Sequence, residues 1–215
     1  PSFLENIQYV INAYREGTSI VKKEKIDIIH SNNFSPSLAG SLISSITKVP
    51  HITTIHDIFS TYDKNFWKKW AKQSCVSYTN AMLVPFFEKL MMRFKFDCIH
   101  TVSEATKNDI IRIGAKKPIY VIPNTIEDEK LLQTEIKKEQ FVYLGRLVFY
   151  KNVEVILRAL NIVIKEYPNV KLIIAGDGPH KTTLQEIAKK MNDNVIFMGY
   201  VTPIEKSKLL AESNA

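Results

Sequence analysis

Phe141-Val142-Tyr143-Leu144-Gly145-Arg146-Leu147-Val148-Phe149-Tyr150-Lys151-Asn152 sets a short apolar run, a glycine, two cations and an asparagine in front of a helical pattern. The order predicts a strand, a glycine turn and a helix start, which together make an anion seat. A helix N-terminus offers unpaired N–H groups and partial positive charge, glycine lets the backbone come close, and Arg146 and Lys151 add full charges. Asn152 reads as the N-cap of the helix that follows. Taken alone, the stretch fits equally well a basic βα turn that merely faces solvent.

The same rhythm repeats on both sides of it. Downstream, Val153, Ile156, Leu157, Leu160 and Ile164 share one helical face. Lys171–Ala175 reads as a strand running into Gly176-Asp177-Gly178-Pro179, with a helix over about 180–191 and a strand over 195–198 after it. Thr202-Pro203-Ile204-Glu205 fits a capping box with proline at the first helical position. Upstream, a helix over 3–23 precedes strands over 26–30, 49–55, 97–102 and 118–122. Between the first two lies a small-residue helix over 37–47, with Ser35 as cap and Pro36 at its first position. A long helical region spans about 64–95, and Ser103 caps a helix over 104–113. Strands alternating with helices favour parallel sheets with right-handed crossovers. The polar residues 125–139 break the rhythm and mark a linker between a domain over 1–124 and a second over 140–215.

Composition bounds the function. The 215 residues exceed the usual single domain of about 100–150, and 45% hydrophobic with 24% charged residues matches globular proteins. The net charge of +7 is local: residues 1–124 carry 16 basic and 10 acidic side chains, against 13 and 12 in residues 125–215. Residues 64–95 hold seven basic side chains and one acid. Two cysteines, Cys75 and Cys98, are too few for a disulfide scaffold and point to a reducing compartment. No signal peptide and no apolar span of about 20 residues is legible. The start at Pro1 and the stop inside a unit predict a piece of a longer chain.

The polar signatures fall at the carboxyl ends of the predicted strands: Asn32, His56-Asp57, Ser103, Asn124, Gly145-Arg146 and Gly176-Asp177-Gly178. In open α/β sheets ligands bind at that edge, so two such sheets would line a cleft. His56 competes with a reading as a capping or core histidine, and His30, His51, His100 and His180 are read as structural.

Gly145-Arg146-Leu147…Lys151-Asn152, Ala175-Gly176-Asp177-Gly178-Pro179 and Val195–Tyr200 resemble the nucleotide-sugar domain of retaining glycosyltransferases of family four, which have the two-domain GT-B fold. Asp27-Ile28-Ile29-His30-Ser31, Val49-Pro50…Thr54-Ile55-His56-Asp57, Val102-Ser103-Glu104 and Ile122-Pro123-Asn124 are similar to that family's acceptor-domain landmarks. The resemblance implies two Rossmann-like parallel-sheet domains facing a cleft, both incomplete in this chain. It implies that Gly145, Arg146 and Lys151 bind the donor diphosphate, that His56 serves catalysis beside the reacting sugar, and that no metal or other cofactor takes part. The implied activity is transfer of a hexose from a nucleotide sugar to an acceptor hydroxyl with retention of configuration. A nucleotide-sugar-binding module without turnover and a GT-B nucleotide-sugar epimerase are the alternatives. Two departures stand out. Asn124-Thr125-Ile126-Glu127 replaces the family's usual Asn-Gly-Val-Asp, and the family's paired glutamates and N-terminal glycine loop are not found among these residues, so the chain is expected to be either a fragment or a degenerate relative.

The basic stretch has a second reading. Trp67, Trp70, Ala71, Ser74, Cys75, Tyr78 and Met82 share one face if the helix is continuous, with Lys68, Lys69 and Lys72 off it. Such a helix suits either an ordinary core contact or an anionic membrane surface serving a lipid-linked or saccharide acceptor. The expected location is cytoplasmic, peripheral on the inner membrane face, and no nucleic-acid partner is expected.

Overall fold

The β-branched runs become parallel strands. A computed structural model describes residues 3–125, 137 and 139–215, and the chain splits into units Pro1–Thr125 and Ile126–Ala215. Most of the expected linker, residues 126–136 and 138, lies outside the described residues. Lys137 and Glu139 bond within the second unit, where Lys137 N donates to Glu212 O at 2.8 Å and Lys171 N to Glu139 O at 2.7 Å.

The first unit runs α1 Phe3–Lys23, β1 Ile29–Asn32, α2 Phe34–Thr47, β2 His51–Ile55, α3 Lys64–Gln73, α4 Tyr78–Ala81, α5 Val84–Met91, β3 Cys98–Thr101, α6 Glu104–Arg112 and β4 Ile119–Val121. Its parallel strands lie in the order β1-β2-β3-β4. Alternate residues of β2 and β3, Ile55 and Ile99, enter a core with Ile58, Met91, Met92, Phe96 and Ile110. On the same face His51 is wholly buried. Its Nδ1 lies 2.9 Å from the Lys95 carbonyl and must be the donor there, so Nε2, 2.8 Å from Ser31 Oγ, accepts.

Two helix starts differ from the sequence expectation. α2 begins at Phe34 with Asn33 as its N-cap at φ 61°, and Asn33 makes no side-chain cap bond. Its ψ of −159° places it outside the left-handed helical region, in a tight extended turn that carries the chain from β1 into the helix without the Ser35 cap. Ser35 Oγ donates instead to Asn6 Oδ1 at 3.1 Å. The region 64–95 is three helices and not one. The weak helix formers after Gln73 and a left-handed Cys75, φ 54°, end α3, while Pro85 suits only the first turn of α5. The extended Trp67–Met82 face therefore does not exist.

The second unit holds β5 Gln140–Leu144, α7 Val153–Val163, β6 Lys171–Ala175, α8 Lys181–Ala188, β7 Val195–Gly199 and α9 Pro203–Glu212. Its parallel sheet has the order β5-β6-β7. Leu172 and Ile174 pack with Leu147, Val153, Leu157, Leu160 and Leu184 on one face. Ile173 and Ala175 meet Leu209 on the other. Each fully buried leucine or isoleucine contributes about 1.5–3 kcal/mol. The α7 stripe is narrower than its periodicity suggests, since Ile156 is exposed. The Thr202–Glu205 capping box forms as read, whereas the helix after His180 stops at Ala188 and continues as a 3₁₀ turn, Lys189–Asn194.

Candidate functional site

In the second unit the loops after β5 and β6 are laced together. Gly145 N donates to Ala175 O at 3.1 Å, Leu147 N to Asp177 O at 2.9 Å and His180 N to Leu147 O at 2.9 Å. The approach is close enough that a Cβ on Gly178 would lie 2.4 Å from the Leu147 carbonyl oxygen. Leu147 and Val148 are buried, and they anchor a loop whose two cations, Arg146 and Lys151, stand exposed. Among the described residues neither cation has an ion-pair partner.

Asn152 does not cap α7 with its side chain. Residues Phe149–Lys151 form a 3₁₀ turn, and Asn152 closes it at φ 54°, its N–H bonded to Phe149 O. A second tight turn thus separates Arg146 from the helix start, and Val153 drops into the core immediately after it.

Asp177 is occupied by its own turn. Oδ2 accepts from Lys181 Nζ at 3.0 Å and Oδ1 from Gly178 N at 2.7 Å. Those bonds, Lys181's first, hold its carboxyl below the usual carboxylate range. Lys181 is thereby committed, and Arg146 and Lys151 remain the unpaired cations of this loop pair. His180 has the structural role expected of it: Nε2 meets Glu154 Oε1 at 2.8 Å and joins the start of α8 to the start of α7. Glu154 gave no sequence signal, because its partner lies across two elements.

In the first unit Asn32, the His56-Asp57 pair, Ser103 and Asn124 end up at the carboxyl ends of four neighbouring strands. Asn32, Asp57 and Asn124 are exposed, and His56 and Ser103 half-buried. Ser103 caps α6, its Oγ accepting from Thr106 N at 3.1 Å, and Thr106 Oγ1 donates to the His56 carbonyl at 3.2 Å. Across the sheet, Thr54 Oγ1 lies 2.6 Å from His30 Nε2 and 2.9 Å from His100 Nδ1, and His100 Nε2 lies 3.0 Å from Ile122 O. His30 and His100 thus cross-link the strands. Sequence reasoning missed Glu88, the single acid of the basic stretch, which is 0% exposed on α5. Ile126 and Glu127, part of the departure from the family pattern, lie outside the described residues.

Burial also reassigns the basic stretch. Trp67 and Ala71 pack with Ala81, Phe59, Phe66, Trp70 and Val84 in a cluster of their own. The exposed apolar side chains of the stretch are Leu83, Phe86 and Phe87, with Phe86 at 60%, beside the less exposed Val76, Tyr78 and Met82. With Glu88 buried, every exposed charge between residues 64 and 95 is basic. No described helix is long and apolar enough to cross a membrane. Among the described residues no cluster of three or more histidine, cysteine or acidic side chains is placed to hold a metal ion.

Comparison with known proteins gives two family matches, Glycosyltransferase Family 4 over residues 1–130 and Glycosyl transferases group 1 over 124–215. The alpha-monoglucosyldiacylglycerol synthase of Streptococcus pneumoniae is 29% identical over 92% of this chain and 47% of its own length. The enzyme of the same name from Acholeplasma laidlawii is 26% identical over 86% of this chain and 50% of its own. The chain therefore spans about half the length of these relatives. Among solved structures, Anabaena HepE in complex with UDP and glucose superposes with a TM-score of 0.68 at 18% identity, over 95% of this chain and 54% of that one. The shared fold is that of the GT-B glycosyltransferases, of which this chain covers about half.

Proposed function

The chain belongs to Glycosyltransferase Family 4, and on that premise we propose that it forms part of an enzyme moving a hexose from a nucleotide sugar to an acceptor hydroxyl with retention of configuration. The observation that carries the reading is the pair of exposed cations, Arg146 and Lys151, which have no ion-pair partner among the described residues and stand on a loop fixed by its bonds to residues 175–180. Fixed cations suit a diphosphate, whose charge grows as the glycosyl–phosphate bond breaks. Arg146 presents a planar fork and Lys151 a point charge, and together they hold the leaving group without a metal. His56 hydrogen-bonds a hydroxyl of the transferring sugar. In this mechanism the acceptor oxygen bonds the anomeric carbon on the face the phosphate leaves, and the departing phosphate oxygen takes its proton.

The acceptor we propose is a lipid-linked hydroxyl at an anionic, cytoplasmic membrane surface. Support comes from the relatives whose names specify a diacylglycerol glycolipid synthase and from the wholly basic exposed charge of residues 64–95 beside Leu83, Phe86 and Phe87. Calorimetry with nucleoside diphosphates tests donor binding, and the anomeric configuration of the product, read by NMR, tests retention. No heat with any diphosphate, or an inverted product, contradicts the proposal.

A further inference from the structure

Glu88 lies on α5 with no exposed surface, yet among the described residues it forms no ion pair. Its two oxygens divide between two backbone donors, Phe59 N to Oε1 at 2.9 Å and Ser60 N to Oε2 at 2.6 Å. A buried carboxyl is tolerated only when its lone pairs are filled, and truncating such a group strands donors at a cost comparable to their desolvation. Phe59 and Ser60 close the loop that opens with His56 and Asp57. That loop is gripped elsewhere too: Thr106 donates to the His56 carbonyl, and Ile58 is 4% exposed in the core. Burial, chiefly, pushes the Glu88 carboxyl above its usual range, and the two N–H bonds oppose the shift. The group therefore carries a desolvation cost that an apolar residue at this core position would avoid.

We infer that Glu88 is the positioning residue of His56: by holding the Phe59 and Ser60 amides from α5 it fixes the exit of the loop and, with Thr106, the orientation in which the imidazole is presented. The inference rests on the proposed role of His56 in transfer, but its geometry is tested separately from that role. Glu88 does not touch substrate and acts only through the loop.

Amide hydrogen exchange and imidazole NMR on the 215-residue chain, wild type beside E88Q and E88A, test it. In the wild type the Phe59 and Ser60 amides exchange on the order of 100-fold more slowly than an open loop. E88Q keeps the volume but turns an N–H₂ donor toward one of those amides, so that amide loses at least about tenfold of its protection and the His56 ring resonances shift. E88A releases both amides. Amides of β6, in the other unit, stay as in the wild type. Unprotected Phe59 and Ser60 amides in the wild type overturn the inference even if neither variant folds. So do unmoved His56 resonances in both variants, or a change spread evenly over the strands of both units. Failure of diphosphate binding at Arg146 and Lys151 would remove the transfer reading and leave this exchange pattern as it is.

Discussion

A Cβ on Gly176 would stand 2.0 Å from the carbonyl oxygen of Gly145, backbone against backbone. The end of β6 thus runs so close to the end of β5 that only glycine fits, at φ 146°. Gly176→Ala is expected to cost about 3 kcal/mol, from strain at that φ and from forced separation of the loops. It should also weaken diphosphate binding, because Arg146 rides on the displaced loop. Thermal unfolding and calorimetry of the variant check this, and wild-type stability in the variant contradicts the loop geometry.

His51 supplies a pH prediction. Its imidazole is buried, and burial lowers its pKa below 6.5 against the opposing Lys95 bond. A base with a lowered folded pKa binds fewer protons folded than unfolded, so its contribution is complete above pH 6.5 and is lost as pH falls toward the folded value. Denaturant melts of the first unit should lose midpoint below pH 6.5, and His51→Gln should flatten that slope. Gly40→Ala presses a methyl to 2.5 Å from His51 Nε2 and should cost about 1–3 kcal/mol at any pH.

Asp177 behaves oppositely. Its carboxyl is held below 3.8 by Lys181 first and by the Gly178 N–H next, so what it contributes is present above pH 3.8 and is lost only as pH falls through the lowered value. The Gly178 amide resonance should stay constant from neutral pH down to about pH 4 and move below that. Movement already near pH 5 contradicts the assignment.

The surface of residues 64–95 predicts reversible binding to vesicles rich in anionic lipid, weakened by salt. Each exposed phenylalanine that buries in lipid contributes about 1.5–3 kcal/mol. Phe86→Ser with Phe87→Ser should therefore reduce co-sedimentation by at least about tenfold, with secondary structure unchanged by circular dichroism. Equal binding by the double variant rejects this surface.

Much of this was legible in the sequence because it is local. The β-branched runs, the Thr202 box and the Ser103 cap each decide their element within a few residues, and glycines after strands marked the loops. What escaped depends on contacts distant in sequence. Asn152 stands at the N-cap position of α7 as read, but its side chain makes no cap bond, because it also closes a 3₁₀ turn that follows the buried Leu147 and Val148. Trp67 and Trp70 read as part of a long face until Cys75 and Pro85 divide the helix and Phe59 closes over them. Glu88 looked like a stray acid among lysines. Its partners lie 28 and 29 residues away on a loop with no regular structure, so no periodicity could reveal them.

The central claim is that Arg146 and Lys151 hold the donor's diphosphate. Isothermal titration of UDP into the wild-type protein and into the double variant Arg146→Ala, Lys151→Ala tests it most directly. Two lost charge-assisted bonds, each about 1.5–3 kcal/mol, predict at least about 100-fold weaker binding, with the unfolding midpoint unchanged because both side chains are exposed. Equal affinity in the two proteins, or no binding by either, contradicts it.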